Sequence, residues 1–168
     1  MDLEVVDNAI PHSALVDIEN TLIQRMPWYF SVDGNLSEKQ PWSLGAIFDR
    51  GDFGSIENYL LQILNDKGFN TSLIHRSIHN CFRRLDKPHY HQDPGEVSYM
   101  FYLNSVWKRH WGASTKLKSK KYHLSTKVYA KPGRIVVFSS KLWHKGTPPN
   151  FLMPVNIPGR LSIVLQEK

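Results

Sequence analysis

The stretch His89-Tyr90-His91-Gln92-Asp93 concentrates side chains that bind metals. In an extended chain, residues two apart point to the same face, so His91 and Asp93 present an imidazole and a carboxylate to one point. That pair is two-thirds of a 2-His-1-carboxylate triad, which holds non-haem Fe(II) and leaves coordination positions open for a co-substrate and O₂. A second histidine must come from a distant strand. His144, just beyond the apolar run Arg134 to Phe138, is the candidate. Near the C-terminus, Arg160 and Ser162 fall on one face of a predicted strand. A guanidinium grips a carboxylate through two parallel charge-assisted bonds, and a serine hydroxyl adds a third. This suits a dicarboxylate co-substrate anchored by its far end.

Those residues need a scaffold, and the apolar pattern supplies one. Before residue 71 the pattern is helical. Leu15, Ile18, Leu22 and Met26 recur at helical spacing behind Ser13, read as a cap, and Pro27 is expected to end this helix. Ile56, Tyr59, Leu60, Ile63 and Leu64 form a second helical set between Ser55 and Gly68. Trp28, Tyr29, Phe30 and Trp42, between the two, read as wall and lid packing. From residue 71 short strands take over: Leu73 to Phe82, Val97 to Leu103, Lys127 to Ala130, Arg134 to Phe138 and Arg160 to Leu165. Clusters such as Asp93-Pro94-Gly95 and Lys131-Pro132-Gly133 separate them. The expected fold is mainly β (α+β): helices packed on one face of a jelly-roll barrel.

Composition narrows the classes. The 168 residues are read as one domain, 1–70 forming helical support and a lid and 71–168 the jelly-roll core. No apolar run is long enough to span a bilayer, and the acidic start lacks a signal-peptide core. Cys81 is the single cysteine, which excludes an intramolecular disulfide and fits a reducing cytoplasm. Cys81 itself reads as a buried, small apolar residue. With 21 basic and 15 acidic residues the net charge is +6, which admits nucleic acid or an anionic substrate as partner. Much of the excess lies in Lys108-Arg109-His110 and in Lys116 to Lys121, the latter read as a solvated loop.

From His89 onward the sequence resembles the prolyl-hydroxylase-like branch of the iron(II)/2-oxoglutarate-dependent dioxygenases. His91-x-Asp93 is followed in order by Tyr102-Leu103-Asn104, Trp107, Trp111-Gly112, Lys131-Pro132-Gly133-Arg134-Ile135-Val136-Val137-Phe138, His144 and Arg160-x-Ser162. Val6 to Pro11 resembles the start of short phage and bacterial members. The departures are Ala113, where a second glycine is usual after Gly112, and a long segment between His144 and Arg160.

The resemblance implies a double-stranded β-helix with supporting N-terminal helices. It implies His91, Asp93 and His144 as Fe(II) ligands, and Arg160, Tyr102 and Ser162 as holders of 2-oxoglutarate. It also implies a hydroxylation consuming O₂ and releasing succinate and CO₂. The substrate is expected to be a prolyl or other protein side chain, with a small molecule next. The expected location is the cytoplasm, a host's if the source is a phage.

Three other readings share parts of this pattern. His89, His91, Glu96 and His144 fit a cupin metal site of three histidines and a glutamate, which leaves Arg160 unexplained. The barrel could serve as a binding module without turnover. A nucleic-acid demethylase is favoured only by the positive charge. His89 reads as a residue of the site mouth, Tyr90 and Arg134 as candidates to face it, and Trp143 as packing. Tyr99 is expected to point away from Tyr102. His12, His75, His79, His110 and His123 read as structural or surface residues.

Overall fold

The structure, a computed structural model, describes residues 3–25, 29–31, 43–119 and 124–168. In chain order the elements are β1 (Leu3–Val6), α1 (His12–Arg25), β2 (Tyr29–Ser31), β3 (Ser43–Asp49), α2 (Ser55–Asp66), β4 (Ile74–Phe82) and β5 (Val97–Tyr102). They continue with β6 (Gly112–Ser119), β7 (Leu124–Tyr129), β8 (Ile135–Ser139), β9 (Trp143–Pro149) and β10 (Arg160–Glu167). Among the described residues, these strands form a seven-stranded sheet, β1-β8-β5-β10-β4-β3-β2, and a three-stranded sheet, β7-β6-β9. Every pairing is antiparallel. The two sheets face each other as a double-stranded β-helix, the mainly β jelly roll expected from the sequence.

The large sheet is buried on both faces, and strict alternation decides what each face sees. Odd-numbered Tyr99, Phe101, Ile135, Val137, Leu161 and Ile163 pack against α1 and α2. Even-numbered Met100, Tyr102, Val136, Phe138 and Val164 pack toward the small sheet, against Leu117, Val128 and Ala130. Tyr99 and Tyr102 therefore point to opposite sides, as the alternation predicts. Burial on both faces is why these strands read as unbroken apolar runs.

The region before residue 71 holds more than helices. Strands β1, β2 and β3 extend the large sheet at both edges, where the sequence pattern gave only helices and irregular chain. Pro11, not Ser13, accepts the first helical hydrogen bond, from Leu15 N–H at 3.0 Å, so Ser13 lies inside α1. Proline suits this place because a helix start leaves its N–H groups unpaired anyway. Met26, Pro27, Trp28 and Trp42 lie outside the described residues. Lys116 to Lys118 belong to β6 rather than to a loop; Lys120, Lys121 and His123 lie outside the described residues. Strand β9 contains Gly146 and Pro148-Pro149, and it lies at a sheet edge, where proline costs no ladder bond. None of the described helices is long and apolar enough to cross a membrane.

One polar bolt ties α2 to the sheet. The Glu57 carboxylate accepts a hydrogen bond from Gly54 N–H at the helix start (3.0 Å) and meets His79 Nε2 at 2.5 Å. Both side chains are buried. Burial by itself would raise the Glu57 carboxyl, but the His79 contact and the backbone bonds hold it below its usual value. A carboxyl lowered on folding contributes stability above its unfolded pKa, and the contribution is lost as pH falls through the folded value. Glu57→Ala is expected to cost about 2–4 kcal/mol, because it strands a buried imidazole. Denaturant titration at pH 7 and again near pH 3.5 checks this: the gap between wild type and variant should narrow in acid.

Candidate metal centre

His91 and His144 are brought together by the backbone itself. They form an isolated antiparallel bridge, each amide donating to the other's carbonyl at 2.9 Å. Residues directly opposite in such a pair share a face, so both imidazoles project the same way. Asp93 follows two residues on, and its amide donates to Ser140 C=O at 3.0 Å, which keeps the segment registered. The outcome is a compact group: one ligand atom each from His91, Asp93 and His144, all within 4.8 Å of one another. His144 Nε2 lies 3.3 Å from one Asp93 oxygen and His91 Nε2 lies 3.6 Å from the other. His144 is buried, whereas His91 is 36% exposed at its side chain, so the group opens to solvent on the His91 side.

The other ring nitrogens are already engaged. His144 Nδ1 faces Leu142 C=O at 2.9 Å, and His91 Nδ1 faces His89 C=O at 3.2 Å. A carbonyl only accepts, so each Nδ1 carries a proton, and Nε2 is the atom that each ring turns to the shared point. His89 thus contributes through its carbonyl, with its ring 6.4 Å from that of His91. Burial would raise the Asp93 carboxyl, but His144, His91 and the Ser98 hydroxyl together hold it below its usual value. Asp93 is therefore a carboxylate.

Ser98 and Ser140 carry roles that the sequence reading missed. Ser98 Oγ donates to Asp93 at 3.1 Å and lies 2.8 Å from Ser140 Oγ, with both serines fully buried. The available signal was a lone hydroxyl in the apolar run Val97 to Leu103. Ser98→Ala is expected to weaken metal affinity about 10- to 100-fold without unfolding the protein. Calorimetric titration with Mn(II) measures it.

A second cluster faces the same barrel interior from the large sheet. Arg160, 1% exposed, donates from Nη1 to Ser114 C=O at 3.1 Å and from Nη2 to Ser162 Oγ at 3.4 Å. Its guanidinium lies 4.4 Å from the Phe82 ring centre and 5.4 Å from that of Tyr102. The Tyr102 hydroxyl sits beside Thr115 Oγ1 (2.9 Å) and Val128 C=O (3.2 Å). Among the described residues no carboxylate pairs with Arg160, and its Nε has no partner. Burial accordingly lowers the guanidinium from its usual value. Gly146 lets Phe82 and Arg160 approach the strand closely: a Cβ there would stand 2.8 Å from the Phe82 ring and 2.9 Å from Arg160 Nη2, too near for either to stay in place. Gly146 is two residues beyond His144 on the same face of β9, about 7 Å along the strand.

Other predicted residues fall elsewhere. Glu96 is exposed and pairs with Lys141 at 3.7 Å, and the metal-binding group includes neither Glu96 nor His89, which removes the basis for a cupin-type set. Arg134 does not face the mouth; it pairs with Asp7 at 2.6 Å and, with Lys131, fastens the chain after β1. These two cations hold the Asp7 carboxyl at about 2. Ala113 adopts φ +59°, the left-handed conformation in which the resembling family usually carries glycine.

A family model described as the 2OG-Fe(II) oxygenase superfamily matches residues 77–165, just over half of the chain. A search of curated protein sequences returns no match. Among solved structures, the chain is similar to a Pseudomonas putida prolyl-4-hydroxylase, with 16% identity and a TM-score of 0.66 over 99% of this chain and 92% of that one. It is also similar to a Trichoplax adhaerens prolyl hydroxylase in complex with a hypoxia-inducible-factor oxygen degradation domain peptide. That pair shares 14% identity, with a TM-score of 0.72 over 98% of this chain and 82% of that one. At such identities the two structures establish the shared fold, and the family match establishes more: the chain belongs to the 2OG-Fe(II) oxygenase superfamily, enzymes that work with Fe(II), 2-oxoglutarate and O₂.

Proposed function

We propose that residues 1–168 act as one catalytic domain that hydroxylates a side chain, a prolyl residue being the first choice, within an extended polypeptide. In this reading His91, Asp93 and His144 hold Fe(II), and Arg160, helped by Ser162 and Tyr102, holds the far carboxylate of 2-oxoglutarate. The observation that carries it is the buried Arg160 guanidinium, which no carboxylate among the described residues pairs, facing the same barrel interior as the His–Asp–His group. A buried cation without a counterion is costly, and a bound carboxylate offsets that cost. The donor set fits a ferrous ion: two imidazoles and one carboxylate, leaving coordination positions free.

With Fe(II) bound, 2-oxoglutarate and O₂ supply the oxidising power that places a hydroxyl on a C–H bond, with release of succinate and CO₂. The chain's own part is positioning. Leu142 and His89 carbonyls fix the imidazole tautomers, Ser98 steadies Asp93, and the apolar lining of Phe82, Phe138 and Leu117 excludes water from the wall. The polypeptide substrate class is supported by the peptide-bound Trichoplax neighbour and by the solvent-facing side of His91. The single Cys81 is buried, its thiol pushed up to about 12, chiefly by burial, in keeping with a protein of the reducing cytoplasm. Succinate release, measured with Fe(II) and a panel of proline-containing peptides, tests the proposal. Peptide-stimulated release with a +16 Da product supports it; stimulation by free amino acids or oligonucleotides alone contradicts the polypeptide substrate.

A further inference from the structure

The charge of the chain is sharply segregated. From Val97 to Gln166 it carries twelve lysines and arginines and not one Asp or Glu. The small sheet lies wholly inside this stretch. Lys116 of β6 is directly opposite Lys127 of β7 on one side and Lys145 of β9 on the other. Directly opposed residues share a face, so three ammonium groups stand abreast across about 10 Å. The alternation puts Thr115, Leu117 and His144 inward, which sends this row to the outer face. Lys118, two residues along β6, joins it. Among the described residues none of these four lysines pairs with a carboxylate. Like charges placed opposite one another destabilise a sheet, so an anion on this face relieves a standing repulsion.

The patch is continuous with the metal centre. Lys145 directly follows His144, and Tyr90 directly precedes His91. The Tyr90 ring lies under two members of the patch, Lys118 at 4.1 Å and Lys145 at 4.9 Å. At the far edge Tyr129 is engaged by Lys127 at 4.5 Å and Arg109 at 4.8 Å. Both aromatic rings are thus covered by cations rather than presented for stacking on bases, which weighs against single-stranded nucleic acid. An extended polypeptide advances about 3.3 Å per residue, so the lysine row spans about three residues of such a chain.

We propose that the outer face of the β7-β6-β9 sheet docks an acidic segment of the polypeptide substrate, within about ten residues of the hydroxylated position. This rests on the polypeptide reading above and adds the substrate's charge. Carboxylates seated on Lys145, Lys116 and Lys127 would guide the neighbouring residue over Tyr90 toward His91. Long-range attraction of this kind is screened by salt.

The test uses the full chain and fluorescence anisotropy with three labelled probes. One is a 16-residue peptide with a central proline and four glutamates on one side. The second replaces those glutamates by glutamine, and the third is a 16-nucleotide oligothymidylate. The acidic peptide is expected to bind at least about tenfold tighter than the neutral one and to lose about tenfold between 50 and 300 mM NaCl. K116E/K127E is expected to remove the preference, and the milder K116Q/K127Q to halve it at least, with Mn(II) affinity unchanged as a check of folding. Equal binding of the two peptides, or an unchanged preference in a folded variant, overturns the proposal. Tighter binding of the oligonucleotide assigns the face to nucleic acid and overturns it too. Succinate release on the same peptides separates the two readings. Binding without stimulated turnover leaves the docking face standing and removes the hydroxylated polypeptide; turnover equal on both peptides does the reverse.

Discussion

Replacing Asp93 by alanine is expected to abolish 2-oxoglutarate turnover and to weaken Fe(II) binding by more than about 100-fold. The reason is electrostatic as well as coordinative. Asp93 is the one carboxylate in the group, and both imidazole Nε2 atoms lie within 3.6 Å of it. Removing it leaves two neutral donors and takes the only anionic ligand from the cation. Glu96→Ala is the matched control. Glu96 sits only three residues away in sequence but is exposed and pairs with Lys141, so its loss should change neither metal binding nor succinate release. Equal effects of the two substitutions, measured by anaerobic metal titration and succinate assay, would overturn the ligand assignment.

Arg160→Met is expected to raise the 2-oxoglutarate concentration needed for half-maximal turnover by about 30- to 5,000-fold, the range for losing one partner of a buried, hydrogen-bonded charge pair. Metal affinity should stay within about threefold, since Arg160 is not in the His–Asp–His group. A second consequence separates this role from a structural one. Among the described residues Arg160 is a buried cation without a carboxylate, held by Ser114 C=O, Ser162 and the faces of Phe82 and Tyr102. Its replacement by an apolar side chain of similar length should therefore leave the free protein as stable or more stable. Wild type should gain thermal stability on adding 2-oxoglutarate, and the variant should not. Gly146→Val should mimic the binding defect by displacing the Phe82 ring and the Arg160 guanidinium while keeping the charge. A loss of folding stability in Arg160→Met, with co-substrate affinity intact, would refute the anchor.

The site was more legible in the sequence than the scaffold was. His91-x-Asp93 and Arg160-x-Ser162 each sit on extended chain, where a spacing of two suffices to place two side chains together, and His144 needed only the one long-range pairing that the His91 bridge supplies. The supporting residues were not legible. Ser98, Ser140 and Thr115 act through contacts across strands, and a lone hydroxyl in an apolar run carries no spacing to read. Strand β6 was hidden by its lysines: Thr115 and Leu117 alternate with Lys116 and Lys118, a period of two that a basic run disguises as loop. Strand β9 was hidden by Gly146 and two prolines, which only an edge strand tolerates. The edge strands β1 and β2, and β3 beside β2, are short or broken by glycine, and only their neighbours in the large sheet give them a place.

The most direct examination is a crystal structure of the protein grown anaerobically with Mn(II) and 2-oxoglutarate. The arrangement described here requires the metal bonded to the Nε2 atoms of residues 91 and 144 and to the side-chain carboxylate of residue 93, with the distal carboxylate of the keto-diacid against the guanidinium of residue 160. A metal bound without any one of those three side chains, or a co-substrate whose far end lies away from that guanidinium, would contradict it.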